Sequence, residues 1–264
     1  MKIAHYLLII SLAAFSSGCK KDTVELPDAL VNSKTLLTAK FTSLNEKMAA
    51  ASTYMGTVNM DATLIRAKLQ ELVSQFPYVV EFAQISSAGI MQAIEPAVYQ
   101  KFEGSNISTQ DHVIKAFGTK APVLSMQFLA VEGYFASVVM HPIIKNGSVA
   151  GGITTLFKPE TVLESIFKPL NDGQGFELWA IEKGGRLLFD PVASEIGNNL
   201  LTDPMYKDFP DLIAAIKKID AEDSGTTTYS YFTPGNTVAV KKLTYWTTFD
   251  LYGTQWKLIW SKPE

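Results

Sequence analysis

The chain has 264 residues, of which 47% are hydrophobic and 19% are charged, and its formal net charge is -3 at pH 7. That length is enough for one large or two modest domains with a sizeable core. A nucleic-acid-binding protein normally carries a basic face, so the slightly acidic balance gives no support for a nucleic-acid partner.

Residues 1–18 predict a signal peptide. Lys2 supplies a positive end, residues 6–15 are almost entirely apolar, and three small residues precede Cys19, which is the only cysteine of the chain. Ten helical residues span about 15 Å, half of a hydrocarbon core, so this run is too short to cross a membrane.

The segment that ends at Cys19 resembles the lipidation site of bacterial lipoproteins. The resemblance implies cleavage before Cys19, acylation of its thiol, and a tether over residues 19–29. The exported protein would then be anchored to the cell envelope, at its periplasmic or extracellular face. Several acyl chains on one residue hold a protein firmly, whereas a single chain binds marginally. The alternative is ordinary cleavage that leaves a free thiol.

Residues 30–77 predict two helices. In the first, apolar residues recur at spacings of three, four or seven, which is typical of a helix with one buried stripe. This stripe consists of Leu30, Leu37, Phe41, Leu44, Met48, Ala51 and Met55. It fits either a dimer seam or, more commonly, packing on the protein's own core. A second helix, capped by Asn59 or Asp61 and stopped by Pro77, has its own stripe. That stripe consists of Ile65, Leu69, Leu72 and Phe76.

The remaining sequence repeats one plan. Residues 81–85 match residues 177–181, a glycine follows each match at the same spacing, and each copy then has an acidic residue before proline, at Glu95 and at Asp190. A repeat of this length indicates a duplicated domain rather than a short-repeat solenoid. In each copy we expect two strands, a helical segment and three further strands.

The predicted elements follow from alternating apolar residues and turn signals. The first copy has predicted strands at residues 78–85, 90–94, 123–129, 134–144 and 148–157, and a helical segment at 96–120 with Ser108 as its cap. A linking helix is predicted at residues 158–170. The second copy has predicted strands at residues 176–181, 186–189, 226–232, 237–250 and 255–260, and a helical insert at 208–219. Asn146 and Gly147 are the strongest hairpin signal, because both turn positions need positive φ. Trp246 and Trp256 are predicted core residues.

A long N-terminal helix followed by two such modules resembles the double Cache extracellular sensor domain, in which each module is PAS-like. Residues 186–190, 195–198 and 203–206 are similar to the membrane-proximal module of that family. The resemblance covers about residues 30–260. It implies an α+β fold with two antiparallel five-stranded sheets, each with a helical cover. The implied units are N-terminal helices at 30–77, a membrane-distal module at 78–157, a linking helix at 158–175 and a membrane-proximal module at 176–264.

Members of this family bind small extracellular molecules, usually in the membrane-distal module, and most continue into a membrane span and a signalling part. This chain ends at Glu264 with neither, so the resemblance implies a stand-alone sensor domain that signals to a separate membrane-bound protein. The amino-acid-binding branch carries an arginine beside aromatic residues in the helical segment. Residues 99–102 supply no arginine, so the resemblance does not extend to that ligand motif.

Polar residues inside apolar strands must face water or meet a partner. On that argument we expect the distal module to hold a ligand of unknown identity in a mostly apolar pocket. The candidate lining residues are Tyr99, Gln127, Tyr134, Ser137 and His141. The alternative is that each of them lies on a solvated face of the sheet.

The second copy has a polar loop that contains Asp190 and Glu195. These carboxylates fit either a ligand amine or cation, or a structural role in which they accept backbone N–H bonds. The structural role is favoured because both copies carry the acid before proline.

The sequence contains no zinc-binding helix, nucleophile elbow or dinucleotide loop, so we expect no enzymatic activity, metal or cofactor. The favoured hypothesis is an exported small-molecule sensor. The rival is a protein–protein interaction module of the cell envelope that presents its first helix or its aromatic strands to a membrane-bound partner.

Overall fold

The structure is a computed structural model that describes residues 24–58, 61–171, 173–232 and 238–264. The predicted signal peptide, Cys19 and Asn59 lie outside these ranges, so the structure does not bear on them. Within the four ranges, no helix is both long enough and apolar enough to span a membrane.

Helix α1 (Asp28–Thr57) is the axis of the molecule and packs against strands of both sheets. Every member of its predicted apolar stripe is buried, as the helical periodicity requires. Phe41 shows how it joins the two halves, because its ring lies 5.4 Å from that of Phe157 and 5.6 Å from that of Trp256. The stripe therefore packs on the protein's own core.

Helix α2 (Ala62–Gln75) begins where the sequence predicts. Asp61 is its cap, since one carboxylate oxygen accepts hydrogen bonds from the backbone N–H groups of Thr63 and Leu64, each at 3.0 Å. The helix lies against the first two strands of the first sheet.

The first module is an antiparallel six-stranded sheet in the order β2-β1-β6-β5-β3, with β4 paired to β5. Its strands are β1 (Val79–Ser86), β2 (Met91–Glu95), β3 (Val123–Leu124), β4 (Phe128–Leu129), β5 (Phe135–Lys145) and β6 (Ser148–Phe157). A 3₁₀ helix (Ala97–Phe102) and α3 (Asp111–Thr119) cover one face. The hairpin signal is confirmed, since Asn146 and Gly147 have φ of 50° and 76°.

Two local predictions in this module are wrong. The single strand expected at residues 123–129 is split into β3 and β4: the Ser125 N–H still donates to the Val138 carbonyl of β5 at 2.8 Å, but the Gln127 N–H donates to Glu182 of the second module instead. Ser108 does not cap α3, which begins after Gln110, and no side chain caps it.

The second module repeats the first. After the linking helix α4 (Pro159–Asn171), its antiparallel sheet has the order β8-β7-β11-β10-β9. The elements are β7 (Glu177–Glu182), β8 (Leu187–Phe189), α5 (Pro210–Ala221), β9 (Ser224–Tyr231), β10 (Val240–Leu251) and β11 (Thr254–Pro263). The predicted α+β class with two antiparallel sheets is confirmed, with five strands in the second sheet as expected and six in the first, because the predicted strand at 123–129 is split in two.

Three apolar cores follow from this arrangement. The central core lies between the helices α1, α2 and α4 and one face of each sheet, while each sheet has a smaller core on its other face. Trp246 and Trp256 are both fully buried, as predicted, but in different cores. The outer core of the first module, which we call the first-module core, contains the candidate site.

Candidate ligand-binding site

A small cavity lies in the first-module core, between the sheet and the segment that connects β4 to β5. Its volume is about 20 Å³, which is room for about one water-sized group. Glu81, Thr154 and Glu132 contribute polar groups to its wall, and His112 and Phe128 close one side of it.

Glu81 is the most unusual residue of this wall. It lies on β1 and is only 3% exposed, yet its Oε2 atom has no hydrogen-bond partner among the described residues. Burial, and then the neighbouring Glu132 carboxylate, raise the pKa of Glu81 to about 8. A buried polar group without a partner is costly, even when it keeps its proton, so this position is poised to take a hydrogen-bond partner.

Three further polar side chains meet at the same place. The Oε1 atom of Glu132 is also buried without a hydrogen-bond partner in the part of the chain that the structure describes, and burial raises the pKa of this carboxyl. Burial, and then contact with Tyr99, raise the pKa of the Tyr134 hydroxyl, which also lies near both carboxylates. Both tyrosine rings pack against the first-module core. The site therefore combines two acidic groups with aromatic walls.

The wall formed by His112 and Phe128 separates the cavity from an outer groove of about 270 Å³. Their ring centroids lie 5.2 Å apart, and burial lowers the pKa of His112 to about 4, so its imidazole is neutral at physiological pH. Because Phe128 lines both spaces, a turn of its side chain would join them.

The structure places the five sequence-predicted lining residues in three locations. Tyr99 and Tyr134 lie together beside the cavity. Gln127 lines the outer groove, and its Oε1 atom is buried without a hydrogen-bond partner among the described residues. Ser137 and His141 lie on the opposite face of β5, towards α1, where His141 Nε2 is 2.7 Å from Asn45 Oδ1. These two do not share a space with the others.

Sequence reasoning missed Glu81, Glu132, His112, Phe128 and Thr154. One signal was present: Glu81 begins the repeated segment, and an acidic residue inside an otherwise apolar strand must meet a partner. The segment around Glu132 reads as an ordinary turn, so nothing local points to it.

The register of the two sheets equates positions in the two modules. Glu81 pairs with Leu156, which pairs with Val138. Glu177 pairs in the same way with Ser261, which pairs with Thr244. By this register the residue that corresponds to Lys242 of the second module is Ala136 of the first.

Three acidic residues of the second module, Glu177, Asp190 and Glu195, have partners. Lys242 Nζ lies 2.8 Å from Glu177 Oε2, and the lysine is 3% exposed. Glu195 accepts hydrogen bonds from the hydroxyls of Tyr206 and Tyr231. Asp190 Oδ1 accepts a hydrogen bond from the Val192 N–H at 2.8 Å. Burial raises the pKa of Asp190 to about 7.

A larger groove of about 540 Å³ lies between α4 and the segment that follows β8. Phe189 and Ile196 line its floor, and Glu160 and Asp190 contribute carboxylates. Lys168 stands at its rim, 3.8 Å from Glu164 in an exposed ion pair. This groove, which we call the α4 groove, is a competing location for a ligand.

The segment from β3 to β5 also contacts the second module. Thr254 Oγ1 donates a hydrogen bond of 2.5 Å to the Leu124 carbonyl. The Gln127 N–H donates one of 2.9 Å to Glu182. The Arg186 guanidinium lies 5.6 Å from the ring centroid of Phe135. One segment therefore forms part of the cavity wall and part of the junction between the modules.

Residues 39–159 match the family model described as "HK/GC/Chemotaxis protein-like, sensor domain". The resemblance to double Cache sensor domains is confirmed. The matched family is a sensor domain, and its match includes α2, most of α1 and the whole first sheet. A comparison with curated protein sequences found no match.

Solved structures of such sensor domains superimpose on most of this chain. An extracellular ligand binding receptor from Desulfohalobium retbaense DSM5692 has a TM-score of 0.74 at 23% identity, over 89% of this chain and 39% of that one. The periplasmic sensory domain of the Campylobacter jejuni chemoreceptor Tlp1 has a TM-score of 0.61 at 13% identity, over 89% and 91%. The ligand-binding domain of the Pseudomonas fluorescens chemoreceptor CtaA, solved with L-isoleucine, has a TM-score of 0.60 at 12% identity, over 89% and 88%. These likenesses show a shared fold.

Proposed function

We propose that the protein is an extracytoplasmic sensor that holds a small molecule non-covalently in its first module and signals to a separate membrane-bound partner. The observation that carries this proposal is the first-module cavity, where Glu81 and Glu132 have buried oxygens without hydrogen-bond partners among residues 24–58, 61–171, 173–232 and 238–264. Native cores leave few such groups, so a bound ligand is their natural partner. The family match over residues 39–159 supports the sensor role.

The second module is the less favourable location for the ligand. Its outer core is filled by bulky side chains, including the buried Trp179, Tyr206 and Trp246. Its acidic groups Glu177 and Glu195 are already hydrogen-bonded by side chains of the same module. A ligand there would have to displace closely packed side chains, which costs free energy.

The segment from β3 to β5 offers a route for the signal. A ligand larger than one water-sized group must displace Phe128 towards the outer groove, because the cavity itself holds only about 20 Å³. That displacement would disturb the contacts of Leu124 with Thr254 and of Gln127 with Glu182. Binding would thereby favour a different junction between the modules.

A thermal-shift screen of small metabolites tests the proposal. A ligand at 100 times its dissociation constant adds about 2.7 kcal/mol to stability, which is easily measured. We expect Tyr134→Phe to weaken the stabilisation and Asp190→Asn, in the α4 groove, to leave it unchanged. A broad screen without any stabilising compound, together with native mass spectra that show no bound molecule, would contradict the proposal.

The lipid anchor is a separate part of the proposal. Acylation of Cys19 would hold the sensor at the cell envelope beside a membrane-bound partner. The Cys19→Ser variant should leave the membrane fraction for the soluble fraction. Continued membrane association of that variant would reject the lipid as the anchor.

A further inference from the structure

We propose that the ligand carries a positively charged amine and that Glu81 and Glu132 bind this group directly in the first-module cavity. The inference rests on the proposed function, because it names the chemical class of the ligand in that same site. An ammonium group is about the size of a water molecule, and the cavity has room for about one. The rest of the ligand would extend past Phe128 into the outer groove.

Charge balance is the first argument. Glu81 lines the cavity and is only 3% exposed to solvent. One of its carboxyl oxygens has no hydrogen-bond partner among the described residues. Within the same ranges, no lysine or arginine forms an ion pair with Glu81 or Glu132. Lys158, which is close by, places its ammonium over the ring of Tyr134, 4.4 Å from the centroid. The raised pKa of Glu81 keeps this carboxyl protonated at neutral pH while no cation is present, and a ligand ammonium beside it would favour release of that proton, because opposite charges stabilise each other in a buried site.

The second module supplies the second argument, because it contains the same acidic position already neutralised. Glu177 corresponds to Glu81 in the strand register, and Lys242 places its ammonium 2.8 Å from it. The position of Lys242 is taken in the first module by the fully buried Ala136. A ligand ammonium would therefore stand in the first module where a lysine side chain stands in the second.

The aromatic walls are the third argument. Tyr99, Tyr134 and Phe128 pack against the first-module core that contains the site, and aromatic faces attract cations. The two carboxylates supply charge-assisted acceptors, and the rings exclude water and cover the alkyl part of an amine. The combination suits an alkylammonium better than a metal ion, which needs more oxygen ligands.

The test compares probes of similar size and different charge on the full chain at constant ionic strength. Ethylamine and putrescine are the cationic probes, acetamide is the neutral probe, and propionate is the anionic probe. We expect the amines to raise the melting temperature and the other two to leave it unchanged. Glu81→Gln keeps the size of the side chain and should weaken amine binding about tenfold or more, measured by calorimetry. Glu71→Gln, an exposed acid on α2, is the matched control.

A second variant gives the first module a lysine at the position that corresponds to Lys242 of the second module. Ala136→Lys supplies a side-chain ammonium beside Glu81, so it should abolish stabilisation by amines. If that larger side chain prevents folding, Glu81→Gln still decides the question.

Three results would overturn the inference. Equal stabilisation by acetamide or propionate, lost in Tyr134→Phe, would leave the proposed function intact and reject the amine. Amine binding that survives Glu81→Gln but is lost in Asp190→Asn would move the site to the α4 groove. If no probe and no library compound binds at all, the proposed function fails together with the inference.

Discussion

The two modules share their strand order and their register but differ in how their outer cores are filled. Trp179 and Trp246 occupy the positions that Ala83 and Met140 occupy in the first module. Two further pairs follow the same register: Ile259 corresponds to Thr154, and Lys242 corresponds to Ala136. A buried tryptophan contributes a large apolar area, so these exchanges complete one core and leave the other with space.

A duplicated fold can divide its tasks in this way. In the second module, Lys242 neutralises Glu177, and large rings fill the remaining volume. In the first, Glu81 has an oxygen beside a small cavity that meets no hydrogen-bond partner from the residues that the structure describes. The second module then has a filled core and a structural role, and the first module has polar groups that a bound ligand would satisfy.

The largest effect is expected for Lys242→Met. Methionine keeps most of the apolar stem but removes the ammonium that lies 2.8 Å from Glu177, which leaves a largely buried carboxylate without its partner. Unfolding by urea should show a loss of about 3 kcal/mol. Adding Glu177→Gln should recover much of that loss.

Lys241→Met is the matched control, because its ion pair with Glu264 is exposed and should contribute less than about 1 kcal/mol. Equal losses in the two single variants would show that the buried pair of the second module has no special role.

The pH dependence of stability is the next largest expected effect. Burial raises the pKa of Glu81 to about 8, so the folded state keeps a proton that the unfolded state has already released. The contribution of Glu81 to the free energy of unfolding is therefore most favourable below the ordinary glutamate pKa and falls as the pH rises towards 8. Between pH 6 and pH 8 this contribution should fall by about 2 kcal/mol.

The Glu81→Gln variant should lose that part of the slope. Urea denaturation at the two pH values measures the difference, and Asp190, whose pKa is also raised, remains in both proteins as a common background. Parallel curves for the natural protein and the variant would contradict the buried ionisation of Glu81.

Thr154→Ile copies Ile259 into the first module. The larger side chain should fill the small cavity, add about 1 kcal/mol to stability, and weaken stabilisation by any ligand of that cavity. The reverse exchange, Ile259→Thr, should lower the free energy of unfolding by more than about 1 kcal/mol, because Ile259 is fully buried. A destabilised Thr154→Ile variant that still responds to ligand would show that the cavity is not the binding space.

The smallest expected effect concerns the junction between the modules. Thr254→Val removes the hydrogen bond to the Leu124 carbonyl and should cost about 1 kcal/mol. If the junction carries the signal, hydrogen exchange of β10 and β11 should no longer change when ligand binds, although affinity is retained. An unchanged exchange response would place the route elsewhere.

Much of the fold could be predicted from local patterns. The α1 stripe follows the helical period, and the hairpin at Asn146 and Gly147 needs only two neighbouring residues. The split between β3 and β4 could not be predicted, because residues 125–127 have strand-like composition and the break comes from a tertiary contact, the hydrogen bond from the Gln127 N–H to Glu182. Local sequence favours a strand there, and the junction with the second module overrides it.

The candidate site depended on information of longer range. Strand alternation already separates Ser137 and His141 from the even-numbered residues of β5, so parity alone argues against a shared face with Tyr134. The contrast between Ala136 and Lys242 needs the register of three strands in each sheet, which no local pattern contains. The repeated segment that begins at Glu81 and at Glu177 was the part of this correspondence that the sequence shows.

The most direct measurement is a crystal structure of the protein with a compound that stabilises it. The account predicts electron density against the first sheet, with a nitrogen atom within hydrogen-bond distance of the Glu81 carboxylate and Phe128 displaced towards the outer groove. Density confined to the α4 groove or to the second module, with the first-module cavity unchanged, would contradict it.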